Sequence, residues 1–221
     1  MDLTIREICG LAIKCKNLDA AQIDRKITGI STDSRKIVKN CVFFAIKGEA
    51  FDGHNFCSAA YADGAIAVIV HKELTQKIPQ IIVKDTTLFL AQLATYYKSK
   101  FNVTTIAVTG SCGKTTTKDM IYCALKTKYN VVTNIGSFNN HIGVPLNTFN
   151  LNSKTEIFLA EIGMNHPGEI DYLAKIIKPD IAVLTNVEPV HLEGLKSLEN
   201  IAKAKAELLD NSNKAGVAFL N

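Results

Sequence analysis

Apolar and polar positions change rhythm along this chain near Asp85. Before it, short β-type runs at 29–31, 42–45, 65–70 and 81–83 alternate with polar turns, and a helix is expected at 56–62. After it, Thr86 is placed to cap a helix whose apolar positions Leu90, Leu93, Ala94 and Tyr97 recur at helical spacing. From Thr104 on, strand patterns at 105–109, 131–133, 157–160, 181–184 and 217–220 alternate with helical patterns at 115–127, 168–177 and 198–209. That is the βαβ rhythm of a mostly parallel sheet flanked by helices. The expected fold class is α/β: a small mixed N-terminal α/β domain over 1–85, then a larger domain with a mostly parallel sheet over 86–221.

Composition narrows the function classes. Apolar residues are 47% and charged residues 21% of the 221, an ordinary soluble-globular balance. A net charge of +4 suits small anionic ligands. It is too small and too dispersed for a nucleic-acid surface, so no nucleic-acid partner is expected. Cys9, Cys15, Cys41, Cys57, Cys112 and Cys123 are irregularly spaced with no C-x-x-C pair. They are expected to be inert thiols rather than a zinc site or a disulfide framework. The start, MDLTIREICG, has early acidic residues and no apolar signal region, and the apolar run 65–70 is only a strand long. A cytoplasmic location without membrane insertion is the expectation.

The strongest chemical signal is Thr109-Gly110-Ser111-Cys112-Gly113-Lys114-Thr115-Thr116. It follows the apolar run Ile106-Ala107-Val108 and opens a helical pattern, the context a phosphate-binding loop (P-loop) requires. Glycines let the backbone approach phosphates, and N–H groups at a helix N-terminus point at their oxygens. Lys114 would meet the β/γ-phosphates of ATP, and the Thr115 hydroxyl would ligate Mg²⁺. Five residues before Gly113 the general pattern wants glycine, and this chain has Val108, so the loop is a shorter T-G-S-x-G-K-T-T form.

A phosphoryl-transfer site also needs metal ligands at the carboxyl ends of neighbouring strands. Glu161 ends the run Ile157-Phe158-Leu159-Ala160, and a metal role suits it better than capping the next helix, a task that fits Glu169. His191 follows the strand pattern 181–184 and its loop, which leaves a functional role and a solvated surface role both open. Lys205 by itself reads as a solvated helix lysine. The segment 138–145, FNNHIGVP, reads as a turn-rich loop, its paired asparagines serving turn chemistry or a ligand's polar edges.

Together, the 109–116 loop, SFNNHIGVP at 137–145, EIGMNHPGEI at 161–170 and NVEPVHLEGLKSLENIAKAKAEL at 186–208 resemble the ATP-binding domain of the Mur ligases. Ser31-Thr32-Asp33-Ser34-Arg35 and VFFAIKGEAFDGHNF at 42–56 are similar to that family's N-terminal domain. The GEI, HLEG and IAKAKAE blocks look most like the member acting on D-Ala-D-Ala. The resemblance implies substrate contacts from Ser31, Thr32, Asp33, Ser34, Arg35, Lys47, Gly48 and His54 to UDP-N-acetylmuramoyl-tripeptide. It implies ATP contacts from residues 109–116 and Asn140, with Asn139 the weaker match. It makes Thr115, Glu161 and His191 the metal set, and Lys114, Glu161, His191 and Lys205 the catalytic group. Lys205 matches a lysine that some members carbamylate into a metal-ligating carboxylate. The implied chemistry is amide formation through an acyl phosphate, with the amine of D-Ala-D-Ala attacking the activated tripeptide carboxylate.

The family's central domain runs longer and is followed by a C-terminal domain. The central domain over 86–221 is therefore expected to be incomplete, its missing partner a C-terminal domain or a separate chain, and residues 1–221 are expected not to catalyse ligation alone. Two other readings stay open. Another P-loop carboxylate–amine ligase, such as a folylpolyglutamate synthase, accounts for 104–221 but not for 31–56. A non-catalytic nucleotide-binding fragment is the second.

Overall fold

The computed structural model describes residues 1–48, 51–134, 136, 138–189, 196–212 and 216–221. The chain divides into two compact units, Met1–Leu93 and Ala94–Asn221. The division falls inside the helix that starts at Thr86, the position the sequence pattern took as the beginning of the second domain.

The first unit contains a five-stranded sheet. In chain order its elements are α1 (Ile5–Leu11), β1 (Lys14–Lys16), α2 (Ala20–Ile23), β2 (Ile30–Ser31), β3 (Val42–Phe44), α3 (Cys57–Ala62), β4 (Ala67–Val70) and β5 (Gln80–Ile82). A 3-10 turn, Gly53–Phe56, leads into α3. The strand order is β1-β5-β4-β3-β2, with only β1 antiparallel to its neighbour. The runs of β3 and β4 are buried along their whole length, as strands covered on both faces must be.

Three elements here escaped the sequence pattern because they are short. The helices α1 and α2 each begin with a capping box, Thr4 with Glu7 and Asp19 with Gln22. The strand β1 is a charged edge strand, which shows no apolar alternation. The turn between α1 and β1 brings Cys9 and Cys15 to a Cα separation of 6.2 Å, and they form a disulfide. The expectation of six thiols therefore fails for this pair: the reversal of the chain, invisible in spacing alone, sets the two side chains together. Cys41 and Cys57 are buried thiols, whereas Cys112 and Cys123 are exposed.

A helix α4 (Thr86–Ser99) leads into β6 (Thr104–Thr109), α5 (Lys114–Leu125), β7 (Val131–Thr133), α6 (Gly143–Thr148), β8 (Ile157–Glu161), α7 (Glu169–Ile177), β9 (Ile181–Leu184), α8 (Leu198–Asp210) and β10 (Val217–Leu220). The second sheet has the order β10-β9-β6-β8-β7 and every pairing in it is parallel. Ile106, Val108, Ile157 and Leu159 form a core against Ile121, Tyr122 and Leu125 of α5. The helix α7 buries Ile170, Leu173, Ala174 and Ile177 at the i, i+3, i+4, i+7 spacing of an amphipathic helix, and Ile176 as well. Each large apolar side chain so buried contributes about 1.5–3 kcal/mol. The helix α6 replaces the expected loop at its C-terminal end: the Asn140 side chain accepts the N–H groups of Ile142 and Gly143, and Pro145 sits in the first turn, where it needs no N–H donor.

The strand β6 lies between β8 and β9, and the chain reaches those neighbours from opposite sides. The loops leaving the carboxyl ends of β6, β8 and β9 therefore gather at one edge, where open α/β sheets bind ligands.

Candidate functional site

The loop after β6 turns at Gly110 and enters α5 through Gly113, whose φ of +76° favours glycine. A Cβ on Gly110 would lie 1.9 Å from the Thr185 hydroxyl, so only glycine lets the loop pass that close to the end of β9. The loop after β9 holds it there. Asn186 accepts the Ser111 N–H through its carbonyl at 3.0 Å and the Cys112 N–H through its side-chain oxygen at 2.8 Å. The Thr185 hydroxyl donates to the Cys112 carbonyl at 2.6 Å, and Ser111 exchanges hydrogen bonds with the Glu188 backbone. Beyond this brace the first turn of α5 presents its N–H groups at the positive end of the helix dipole.

Lys114 folds back over the loop, its Nζ donating to the Gly110 carbonyl at 2.9 Å and the Ser111 carbonyl at 3.2 Å. One residue on, the Thr115 hydroxyl donates to Glu161 Oε2 at 2.8 Å. The other carboxylate oxygen of Glu161 accepts the Asn139 amide at 2.8 Å. Glu161 is 1% exposed, so its charge is stabilised by these donors rather than by bulk water. Thr109, the last residue of β6, is buried and donates to the Ile162 carbonyl. Thr116 follows in α5. The site residues brought together are therefore the 109–116 loop, Glu161 and Asn139.

Asn140, the stronger match of the two asparagines, spends its side-chain oxygen on capping α6, while Asn139 is the one bonded to Glu161. Both border a cavity of about 620 Å³ that opens beside Lys114 and runs along Gly163, Asn165 and the start of α7. Gly163 is forced there by Asn139: a Cβ would sit 2.9 Å from the asparagine amide.

Lys205 is not the solvated lysine its helix position suggests. It is 2% exposed on α8, and its amine is pushed down to about 8, first by burial and next by the charge of Lys114. His191 lies outside the described residues. Among those described, no group of three histidine, cysteine or acidic side chains could hold a metal.

In the first unit the expected substrate residues form two groups. In 31–35, the Asp33 carboxylate binds the Arg35 guanidinium through both oxygens, which with the Arg35 N–H lowers its pKa to about 2. The Ser31 hydroxyl is bonded to the Asp33 backbone, and Thr32 and Ser34 lie in the same turn. Lys47 and Gly48 border a bridge to Asp52 and Phe51. His54 is held within the fold. It is buried, its Nδ1 lies 2.6 Å from Asp52, and its Nε2 accepts the His71 N–H at 3.1 Å, so both ring nitrogens serve the fold.

Sequence reasoning assigned no individual role to Thr185, Asn186 or Glu188, which hold the loop. Thr185 and Asn186 directly follow β9, and position at a strand's carboxyl end is the signal that could have found them.

Comparison with known proteins places the chain among relatives. Residues 108–221 match the model of the Mur ligase middle domain, and residues 26–98 match that of the Mur ligase family, catalytic domain. The UDP-N-acetylmuramoyl-tripeptide–D-alanyl-D-alanine ligase of Haemophilus influenzae is 41% identical over 95% of this chain and 49% of its own length. A crystal structure of MurF from Acinetobacter baumannii has a TM-score of 0.90 at 35% identity, covering 97% of this chain and 48% of that one. MurF ligase from Thermotoga maritima, solved in complex with ADP, has a TM-score of 0.81 at 36% identity, covering 86% of this chain and 44% of its own. The chain spans about half the length of the curated relatives it matches.

Proposed function

Because this chain belongs to the Mur ligase family, we propose that it carries the UDP-substrate and ATP sites of a ligase joining D-alanyl-D-alanine to UDP-N-acetylmuramoyl-tripeptide through an acyl phosphate. The observation that carries the reading is the meeting of Lys114, Thr115, Glu161 and Asn139 at the carboxyl edge of a parallel sheet, beside a cavity large enough for a peptide end. The N-terminal domain would hold the UDP end of the substrate and the second domain the nucleotide. The 31–56 block favours this over a folylpolyglutamate synthase, since residues 26–98 also match a Mur ligase model.

The Thr115 hydroxyl and the Glu161 carboxylate, 2.8 Å apart, are hard oxygen donors of the kind Mg²⁺ takes beside phosphate oxygens and water, so the site fits that ion. When bound, it would neutralise charge between the phosphates and the reacting carboxylate. Lys114 would exchange its own loop's carbonyls for phosphate oxygens and reduce the repulsion between two anions held in one site. Asn139 orients the Glu161 carboxylate. The depressed Lys205 amine is neutral more often near pH 7 than an ordinary lysine, and the neutral amine is the form that takes up CO₂. Carbamylation there would replace a buried cation beside Lys114 with an anion.

Calorimetric titration with Mg·ATP and, separately, with UDP-N-acetylmuramoyl-tripeptide tests the reading on wild type and Lys114→Ala. Both proteins should bind the UDP compound. The variant should bind ATP about tenfold to hundredfold more weakly, the loss of a charge-assisted hydrogen bond of about 1.5–3 kcal/mol. Wild type that ignores the UDP compound would remove the ligase assignment and leave a nucleotide site alone. Unchanged ATP affinity in Lys114→Ala would favour the non-catalytic fragment.

A further inference from the structure

Pairing of β7 with β8 ends at Thr133 opposite Leu159. At the next residue, the Asn134 side chain takes over from the ladder. Its Oδ1 accepts the Glu161 N–H at 2.7 Å, and its Nδ2 donates to the Glu161 carbonyl at 2.9 Å and the Phe138 carbonyl at 3.0 Å. The amide has one productive orientation, because flipping it would set NH₂ against N–H and oxygen against two carbonyls. Asn134 is 2% exposed, and the equally buried Lys118 of α5 donates to its backbone carbonyl at 3.2 Å. One amide thus grips the backbone on both sides of the candidate metal carboxylate's α-carbon, together with the residue just before Asn139.

We propose that Asn134 is a positioning residue for Glu161, setting the backbone from which its carboxylate meets Thr115 and Asn139. The inference rests on the nucleotide reading above and deepens it. Glu161 ends β8 still paired to Val108 of β6 on one side, and where β7 has stopped the Asn134 amide holds its other side; a backbone fixed on both sides removes an ordering cost before the ion arrives. Lys118 ties the same point to α5, the helix that carries Thr115, so both oxygen donors are referred to one anchor.

The test compares Asn134→Ser, Glu161→Gln and the double variant, each first checked for a wild-type circular dichroism spectrum. In ligand-free protein, exchange of the Glu161 amide should accelerate about tenfold or more in Asn134→Ser, since its acceptor is gone. By calorimetry, the Mg²⁺ concentration that half-restores ATP affinity should rise about tenfold, with ATP affinity in EDTA within about twofold of wild type. In the Glu161→Gln background the Asn134 substitution should add no further loss, because coupled residues are non-additive. If Asn134→Ser does not fold, Lys118→Met should move Mg²⁺ dependence in the same direction by about threefold. Equal weakening with and without metal, or full additivity with Glu161→Gln, overturns the positioning role. Wild type lacking any Mg²⁺-dependent ATP binding overturns the nucleotide reading, and the proposal with it.

Discussion

Gly110 and Lys205 show how a single position can be decided by what lies across from it. A methyl group on Gly110 would overlap the Thr185 hydroxyl, and that hydroxyl is not free to swing away because it holds the Cys112 carbonyl. Gly110→Ala should therefore cost about 1–3 kcal/mol of stability, the range for overpacking, and weaken ATP binding as the loop shifts. Adding Thr185→Ala should recover part of the lost melting temperature, since the nearest side-chain atom then becomes the Cβ at 3.1 Å. Lys205 gives a pH signature. Its folded-state value of about 8 lies below the ordinary 10.5, so between those values the unfolded chain binds more protons and stability rises with pH. Below pH 8 the cost of burying the cation is fully present. Lys205→Met should melt above wild type near pH 7, with the gap narrowing as pH climbs past 8; a gap that does not depend on pH would contradict this account.

Helices α7 and α8 show the same dependence at the scale of elements. Gly168 and Asp171, at the start of α7, donate their N–H groups to the two carboxylate oxygens of Glu207 on α8, each at 2.9 Å. The N-terminus of α7 is thus capped by another helix, and the same helix carries Lys205. Glu207→Ala should cost about 1–2 kcal/mol, as loss of a cap does, and speed amide exchange at Gly168 and Asp171 before the rest of α7 responds. The periodic apolar face of α7 announces the helix in the sequence. Nothing in that periodicity says which side chain satisfies its first turn, because Glu207 is far away along the chain and only packing of α7 on α8 brings it there.

At the scale of the whole molecule, the two units have separate sheets and separate cores, and each has its own titration behaviour. In the first unit, neutral His54 links Asp52 to the N–H of His71. Burial, partly offset by Asp52, holds its pKa below the usual 6.5, with His71 and Lys72 adding to the depression. The unfolded chain then takes up a proton first as pH falls below about 6.5. Stability of this unit should decline from there toward the lowered folded value. His54→Gln should flatten that acid slope in exchange measurements on residues 1–93, and an unaltered slope would refute the assignment. Among the described residues, no helix is long and apolar enough to cross a membrane.

The sequence by itself determined the α/β class, every strand of the second sheet and the glycine-bearing loop that joins β6 to α5. These are written in local periodicity and in a motif whose parts are adjacent, so no distant contact is needed to recognise them. It also marked Glu161, because the end of an apolar run is visible in one dimension. Only the tertiary structure decided that Asn139 rather than Asn140 meets Glu161, that both ring nitrogens of His54 are engaged within the fold, that Cys9 pairs with Cys15, that Thr185 and Asn186 brace the loop, and that Asn134 holds the Glu161 backbone. It also buried Lys205 beside Lys114, where helix position alone suggested a solvated lysine. Each of these depends on which strand lies beside which and where a chain reversal ends, and those are fixed by packing between segments far apart in sequence.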